Sequence, residues 1–158
     1  MARSLLIAFL LPLFAVPAMA ASTATTPHFT AELIAESQTP VPGKNVTLAL
    51  VVRPEKGWHT YWSNPGETGL APELDWTLPK GVTAGDVRHP VPSELVIGGI
   101  ASNVHEGTVA LLTDLSIPTT MAAGTKLPVV LSADLLICSE GSCVPETVAL
   151  DLPLTVGD

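Results

Sequence analysis

Cys138 and Cys143 are the only cysteines in the chain, and four residues separate them in the stretch Leu135-Leu136-Ile137-Cys138-Ser139-Glu140-Gly141-Ser142-Cys143-Val144-Pro145-Glu146. Two thiols so close can either relay electrons by thiol–disulfide exchange or clamp a turn. A disulfide here closes a loop of about six residues, worth on the order of 2 kcal/mol of chain entropy, against about 5 kcal/mol for a loop of about a hundred residues. As a staple the pair is poorly placed. A small ring near the surface is also where labile or catalytic disulfides are found, so the spacing favours a redox role over a structural clamp. The neighbouring charges, Glu140 and Glu146, are acidic, and no Lys or Arg follows Lys126. Once reduced, the thiols therefore have ordinary or raised pKa values and suit transfer to a docked protein better than unaided attack on small molecules. A thioredoxin-type motif is excluded, since it would put two residues between the cysteines at a helix N-terminus.

The elements that must position this pair read as β-strands. In Phe29 to Glu36 the apolar positions 29, 31, 33 and 35 alternate, and in Val46 to Val52 the positions 46, 48, 50 and 52 do the same, which is the period of a half-buried strand. Pro40-Val41-Pro42-Gly43-Lys44-Asn45 is a turn between them. Further strands are predicted at Leu74–Leu78, Val82–Val87, Thr108–Ile117, Leu127–Ile137 and Thr147–Val156. The segment His89-Pro90-Val91-Pro92 is extended but unsuited to a central strand, because proline cannot donate to a ladder. Many short strands, Pro/Gly turns and no alternating helices predict an all-β, immunoglobulin-like antiparallel β-sandwich.

Residues 1–20 carry Arg3, an apolar run from Leu5 to Val16, and the small-x-small triplet Ala18-Met19-Ala20. That is the pattern of a secretory signal peptide cleaved after Ala20. The run is shorter than the roughly 20 residues of a spanning helix and is interrupted by proline. Cleavage leaves one domain's worth of chain, in which 21–27 is a Ser/Thr/Ala-rich disordered leader and 28–158 is the folded domain, with no direct membrane insertion. The formal net charge of −8 argues against nucleic acid or anionic lipid as a partner. Export places the cysteines in an oxidising compartment.

The motifs Trp58-His59-Thr60-Tyr61-Trp62-Ser63-Asn64-Pro65-Gly66-Glu67-Thr68-Gly69-Leu70-Ala71-Pro72, His89-Pro90-Val91-Pro92, Asn103-Val104-His105-Glu106-Gly107 and Cys138 to Glu146 resemble the N-terminal periplasmic domain of the DsbD/ScsB thiol:disulfide interchange proteins, across nearly the whole mature chain. The resemblance implies a periplasmic immunoglobulin-like domain, a component of a protein-disulfide reductase. Its cysteines take electrons from a membrane-embedded donor and reduce exported thioredoxin-like oxidoreductases. Cys143 would form the mixed disulfide and Cys138 would resolve it. The segment Asn103, Val104, His105, Glu106 matches the family's cap loop, in which an aromatic shields the pair; this chain has Val104 and His105 there instead. In the family a multi-helix membrane domain and a thioredoxin-like domain follow. The sequence here runs to Asp158, so the expectation is either separate partner modules or a stand-alone relative with another role.

Rival readings come from other classes. The disulfide could clamp a hairpin in a non-catalytic interaction module, or the protein could be a redox-dead relative that binds the same partners. A copper-binding periplasmic protein would use the histidines, its strongest version joining Cys138, Cys143 and His105. The four histidines His28, His59, His89 and His105 show no paired ligand spacing, so no metal and no cofactor is assigned. Alternation along Trp58 to Trp62 puts Trp58 and Thr60 on one face and His59 and Tyr61 on the other, so at least one tryptophan belongs to the core. Glu67, Glu73, Asp75 and Asp86 read as solvated loop charge.

Overall fold

The computed structural model describes residues 21–158, so the signal peptide expected at 1–20 lies outside the described residues. Among the described residues, eleven antiparallel strands form two sheets. The first contains β1 (Ala21–Thr25), β2 (Phe29–Ala35), β3 (Asn45–Pro54), β9 (Val109–Ser116) and β6 (Thr83–Ala84), in the order β1-β2-β3-β9-β6. The second runs β11 (Cys143–Thr155), β10 (Lys126–Cys138), β4 (His59–Gly66), β8 (Ile100–Glu106) and β7 (Ser93–Ile97), while β5 (Glu73–Thr77) also pairs with β10. The two sheets make an all-β immunoglobulin-like sandwich. Among the described residues no helix is long and apolar enough to cross a membrane.

The alternation seen in the sequence becomes the core. Phe29, Leu33, Leu48 and Leu50 of the first sheet are fully buried against Leu127, Leu131, Leu135, Ile137 and Leu150 of the second. Each buried Leu or Ile side chain contributes about 1.5–3 kcal/mol through apolar area removed from water. The longest ladder joins β10 and β11 over 13 residue pairs, from Lys126 opposite Thr155 to Cys138 opposite Cys143. Odd-numbered residues of β10 and even-numbered residues of β11 face the core, so both cysteines fall on the outer face of the sheet.

Three differences from the sequence reading follow from sheet edges. The leader is not disordered through Thr25: β1 pairs residue for residue with β2 from Ala21 opposite Ile34 to Thr25 opposite Thr30. Its Ser22 hydroxyl accepts from the Asp151 backbone N–H. Ser, Thr and Ala carry no apolar signal, but an open edge offers backbone partners to any extended segment. The last strand begins at Cys143 rather than Thr147, because β11 is an edge strand and Pro145 tolerates that position. Finally, β7 and β8 form a hairpin where the sequence reading placed no strand. Its tip is Gly98-Gly99, both at positive φ, as a two-residue turn that follows the strand twist demands.

Candidate functional site

Cys138 and Cys143 form a disulfide with their Cα atoms 4.1 Å apart. They are directly opposed across the end of the β10–β11 hairpin, beyond which Ser139 to Ser142 make the turn, with the Ser139 N–H donating to the Ser142 carbonyl at 2.8 Å. The ladder thus already closes the ring that the disulfide spans. This geometry leaves the bond little to add as a staple.

The two sulfurs sit in different surroundings. Cys143 is exposed, whereas Cys138 is 1% exposed. Cys138 belongs to a small second core on the outer face, with Tyr61 and Val104, against which Leu95 and Leu136 pack. The strands explain the gathering: His59 is the cross-strand partner of Cys138 and of Glu106, and Tyr61 that of Val104. One residue's alternation therefore puts His59, Tyr61, Val104 and Cys138 on a single face. The Tyr61 hydroxyl donates to Cys138 Sγ at 3.1 Å, and the His59 ring meets the tyrosine ring edge-on at 5.5 Å. Burial pushes the Tyr61 hydroxyl pKa up and the His59 pKa down, the latter opposed by the nearby Glu106 carboxylate.

The loop after β4 closes one side. Gly69 lies on the Tyr61 ring at φ +96°, and the Thr68 and Ser102 hydroxyls hydrogen-bond at 2.7 Å. Leu95, Ile97 and Ile100, beside the Gly98-Gly99 turn, line the opposite wall of a cavity of about 340 Å³ that reaches both cysteines. Among the described residues no Lys or Arg lines it. Ile97 and Ile100 are nonetheless 40% and 44% exposed, with Val96 and Leu70 more so. Leu95, Ile97 and Ile100 thus give one apolar side to the cavity that reaches the exposed Cys143.

The segment Asn103 to Glu106 is strand, not loop: all four residues lie in β8. Val104 packs beneath Cys138, Asn103 Nδ2 donates to the Asn64 carbonyl at 2.9 Å, and Glu106 ends the strand opposite His59. His105 points the other way. It is buried on the inner face opposite Thr60, and its ring stacks near that of His89 at 6.1 Å. A site joining Cys138, Cys143 and His105 is therefore not formed, since the sheet separates them. Among the described residues no group of three or more His, Cys, Asp or Glu side chains could hold a metal.

His89 and His105 carry a different consequence. Among the described residues, His89 Nδ1 and His105 Nε2 are buried without hydrogen-bond partners. Burial lowers the pKa of both, and each imidazolium would further disfavour the other, as the lowered value of His105 reflects. Because the folded values lie below the ordinary 6.5, the unfolded chain takes up protons first as pH falls. Stability is complete above about pH 6.5 and is lost as pH drops through the folded values. Thermal melts should therefore show a lower Tm at pH 5 than at pH 7.5, and His105→Gln should narrow that difference. An undiminished difference would assign the loss to other groups.

His28 lies in the turn before β2 and bonds Glu146 through Nδ1 at 2.7 Å, with the Thr26 hydroxyl on the same carboxylate at 2.6 Å. The Trp58 ring lies against His28 at 4.0 Å between centroids, tilted by 40°, and packs against the main core. The expected core tryptophan is thus a partly buried Trp58. Sequence reasoning missed Tyr61 as the partner of Cys138, and Leu95, Ile97 and Ile100 as its neighbours. The legible signal for the last three was the Gly98-Gly99 dipeptide between apolar residues.

Residues 30–155 match the family described as "Thiol:disulfide interchange protein DsbD, N-terminal". No curated protein sequence matches the chain. Among solved structures, the N-terminal periplasmic domain of ScsB from Proteus mirabilis is similar at 28% identity and a TM-score of 0.64, over 85% of this chain and 51% of that one. The chain thus spans about half the length of that ScsB structure. The DsbD N-terminal domain of Neisseria meningitidis, in the reduced form, aligns at 15% identity and a TM-score of 0.47, over 83% of this chain and 87% of that one. The GAE domain of GGA2p from Saccharomyces cerevisiae shares the fold at 11% identity and a TM-score of 0.50, over 87% and 99%.

Proposed function

This chain belongs to the family of N-terminal domains of the thiol:disulfide interchange protein DsbD, and from that membership and the geometry of its cysteine pair we propose that it relays electrons in the periplasm. In this reading the chain is a thiol–disulfide interchange domain whose Cys138–Cys143 disulfide is reduced by a membrane-embedded donor. The resulting dithiol reduces exported thioredoxin-like oxidoreductases. The observation that carries the reading is the asymmetry of the pair: Cys143 is exposed, while Cys138 is buried. A partner's thiolate reaches only Cys143 in line, so the mixed disulfide forms there and Cys138 is the leaving and resolving sulfur.

The cover expected from Asn103 to Glu106 is assigned instead to the β7–β8 hairpin tip. Leu95, Ile97 and Ile100 take the place of the family's aromatic and limit access to the pair by small oxidants, while a docking partner displaces them. Export by the 1–20 segment and its removal belong to the same reading.

The test is the reduction potential, measured by equilibrating the full chain against glutathione or dithiothreitol buffers. An exchanging pair should lie above about −300 mV. A value below that would favour a clamp and overturn the relay.

A further inference from the structure

We propose that the Tyr61 hydroxyl is a catalytic hydrogen-bond donor in this exchange: it holds Cys138 Sγ and stabilises the negative charge that arrives there when the disulfide opens. The inference rests on the exchange reading above and adds a residue to it.

The direction of the bond is fixed by chemistry. A disulfide sulfur carries no hydrogen, so across the 3.1 Å contact the phenol must donate and Sγ accept. Among the described residues this is the one side-chain hydrogen bond to either sulfur. Both groups are buried, Tyr61 to 4% exposure, in the small cluster where Val104, Leu95 and Leu136 pack. An anion appearing on Cys138, 1% exposed, would meet little water, and among the described residues no Lys or Arg lines the cavity to offer a cation. The titratable groups facing the pair are His59 from β4 and Glu140 from the turn, with Glu106 at the end of β8 beside His59. A hydrogen bond to a charged acceptor in such a place is worth more than one in water.

The step balances as follows. A thiolate of a reduced dithiol partner attacks Cys143 Sγ and forms the mixed disulfide. The Cys138–Cys143 bond breaks, and its electron pair leaves on Cys138 Sγ. The partner's second thiolate then attacks its own sulfur in the mixed disulfide, releasing Cys143 as thiolate. The partner is oxidised to its disulfide, this chain is reduced by two electrons, and the two thiolates here take protons from the solvent that replaces the partner's two. In the reverse direction Cys138, held by the same phenol, resolves the mixed disulfide. Burial raises the Tyr61 pKa, so the phenol keeps its proton beside a thiolate and acts as a donor throughout. The ring is positioned for this by Gly69 above it and by the edge of His59 beside it.

The test uses the full chain with Tyr61→Phe, which keeps the ring and removes the hydroxyl. Reduction by dithiothreitol should slow about tenfold. In a Cys143→Ala background, the Cys138 pKa, followed by thiolate absorbance, should rise by about 1 when Tyr61→Phe is added. Tyr61 is the chain's only tyrosine, so incorporating 3,5-difluorotyrosine acidifies that single hydroxyl without removing it and should speed reduction. Unchanged rate and pKa in Tyr61→Phe, or no response to fluorination, would overturn the assignment. If the unsubstituted disulfide resists dithiothreitol altogether, the exchange reading fails; the Cys138 pKa comparison still reports on Tyr61.

Discussion

Cys138→Ala is expected to capture a thioredoxin-like oxidoreductase as a lasting mixed disulfide, and Cys143→Ala to capture none. The difference follows from exposure rather than from sequence position. Cys143 stands at the start of an edge strand with its side chain outside, within reach of a docked partner's disulfide. Cys138 has 1% of its surface exposed and packs with Tyr61 and Val104 beside the hairpin tip. With Cys138 gone, a thiolate at Cys143 still attacks, but nothing resolves the product, so the intermediate accumulates. With Cys143 gone, exchange should fall by at least about a thousandfold, as when a nucleophile is removed from an enzyme. Non-reducing electrophoresis after incubation with periplasmic extract, followed by identification of the captured chain, reads both outcomes. Equal trapping by the two variants would show that exposure does not choose the attacked sulfur.

The largest expected loss of stability from a single small substitution is at Gly69, in the loop over Tyr61. The residue sits at φ +96°, where an L side chain is strained, and a Cβ there would lie 2.2 Å from the tyrosine ring. Overlap with a packed ring forces either the loop or the aromatic to move, and overpacking costs about 1–3 kcal/mol. The left-handed backbone adds about 1–2 kcal/mol. Gly69→Ala should therefore lose about 3 kcal/mol, seen as a fall in Tm of roughly 10 °C for a domain of this size. Because the ring cannot shift without breaking its hydrogen bond to Cys138, the same variant should also alter the rate of reduction by dithiothreitol. Gly141→Ala is the control. That residue lies in the turn between the cysteines, with open space around it and no left-handed φ, and its melt should match the parent. Equal melting of both variants would mean the loop yields freely and does not hold Tyr61.

Much of the scaffold was legible because burial on one face imposes period-2 alternation. Phe29, Ala31, Leu33 and Ala35 are buried as their spacing predicts, as are Val46, Leu48, Leu50 and Val52. The β7–β8 hairpin was not legible. Ser93 to Ile97 is almost wholly exposed, so the physical force that writes alternation into a sequence is weak there. Strand β1 escaped for a related reason: it is held largely by backbone pairing to an open edge, which any extended segment can accept.

The site divides along the same line. Spacing alone singled out Cys138 and Cys143 as the candidate redox pair and, by loop arithmetic, as a poor staple. The motif around them pointed to the family that residues 30–155 match. Residue order along a strand could not say which neighbouring strand lies beside it or in what register, and those two facts decide the chemistry. Pairing His59 with both Cys138 and Glu106 places Tyr61 against a sulfur 77 positions away and turns His105, one residue from Val104, to the far side of the sheet. Only the tertiary structure set this, because a sheet alternates faces with every residue and a register shift of one would exchange the two sets.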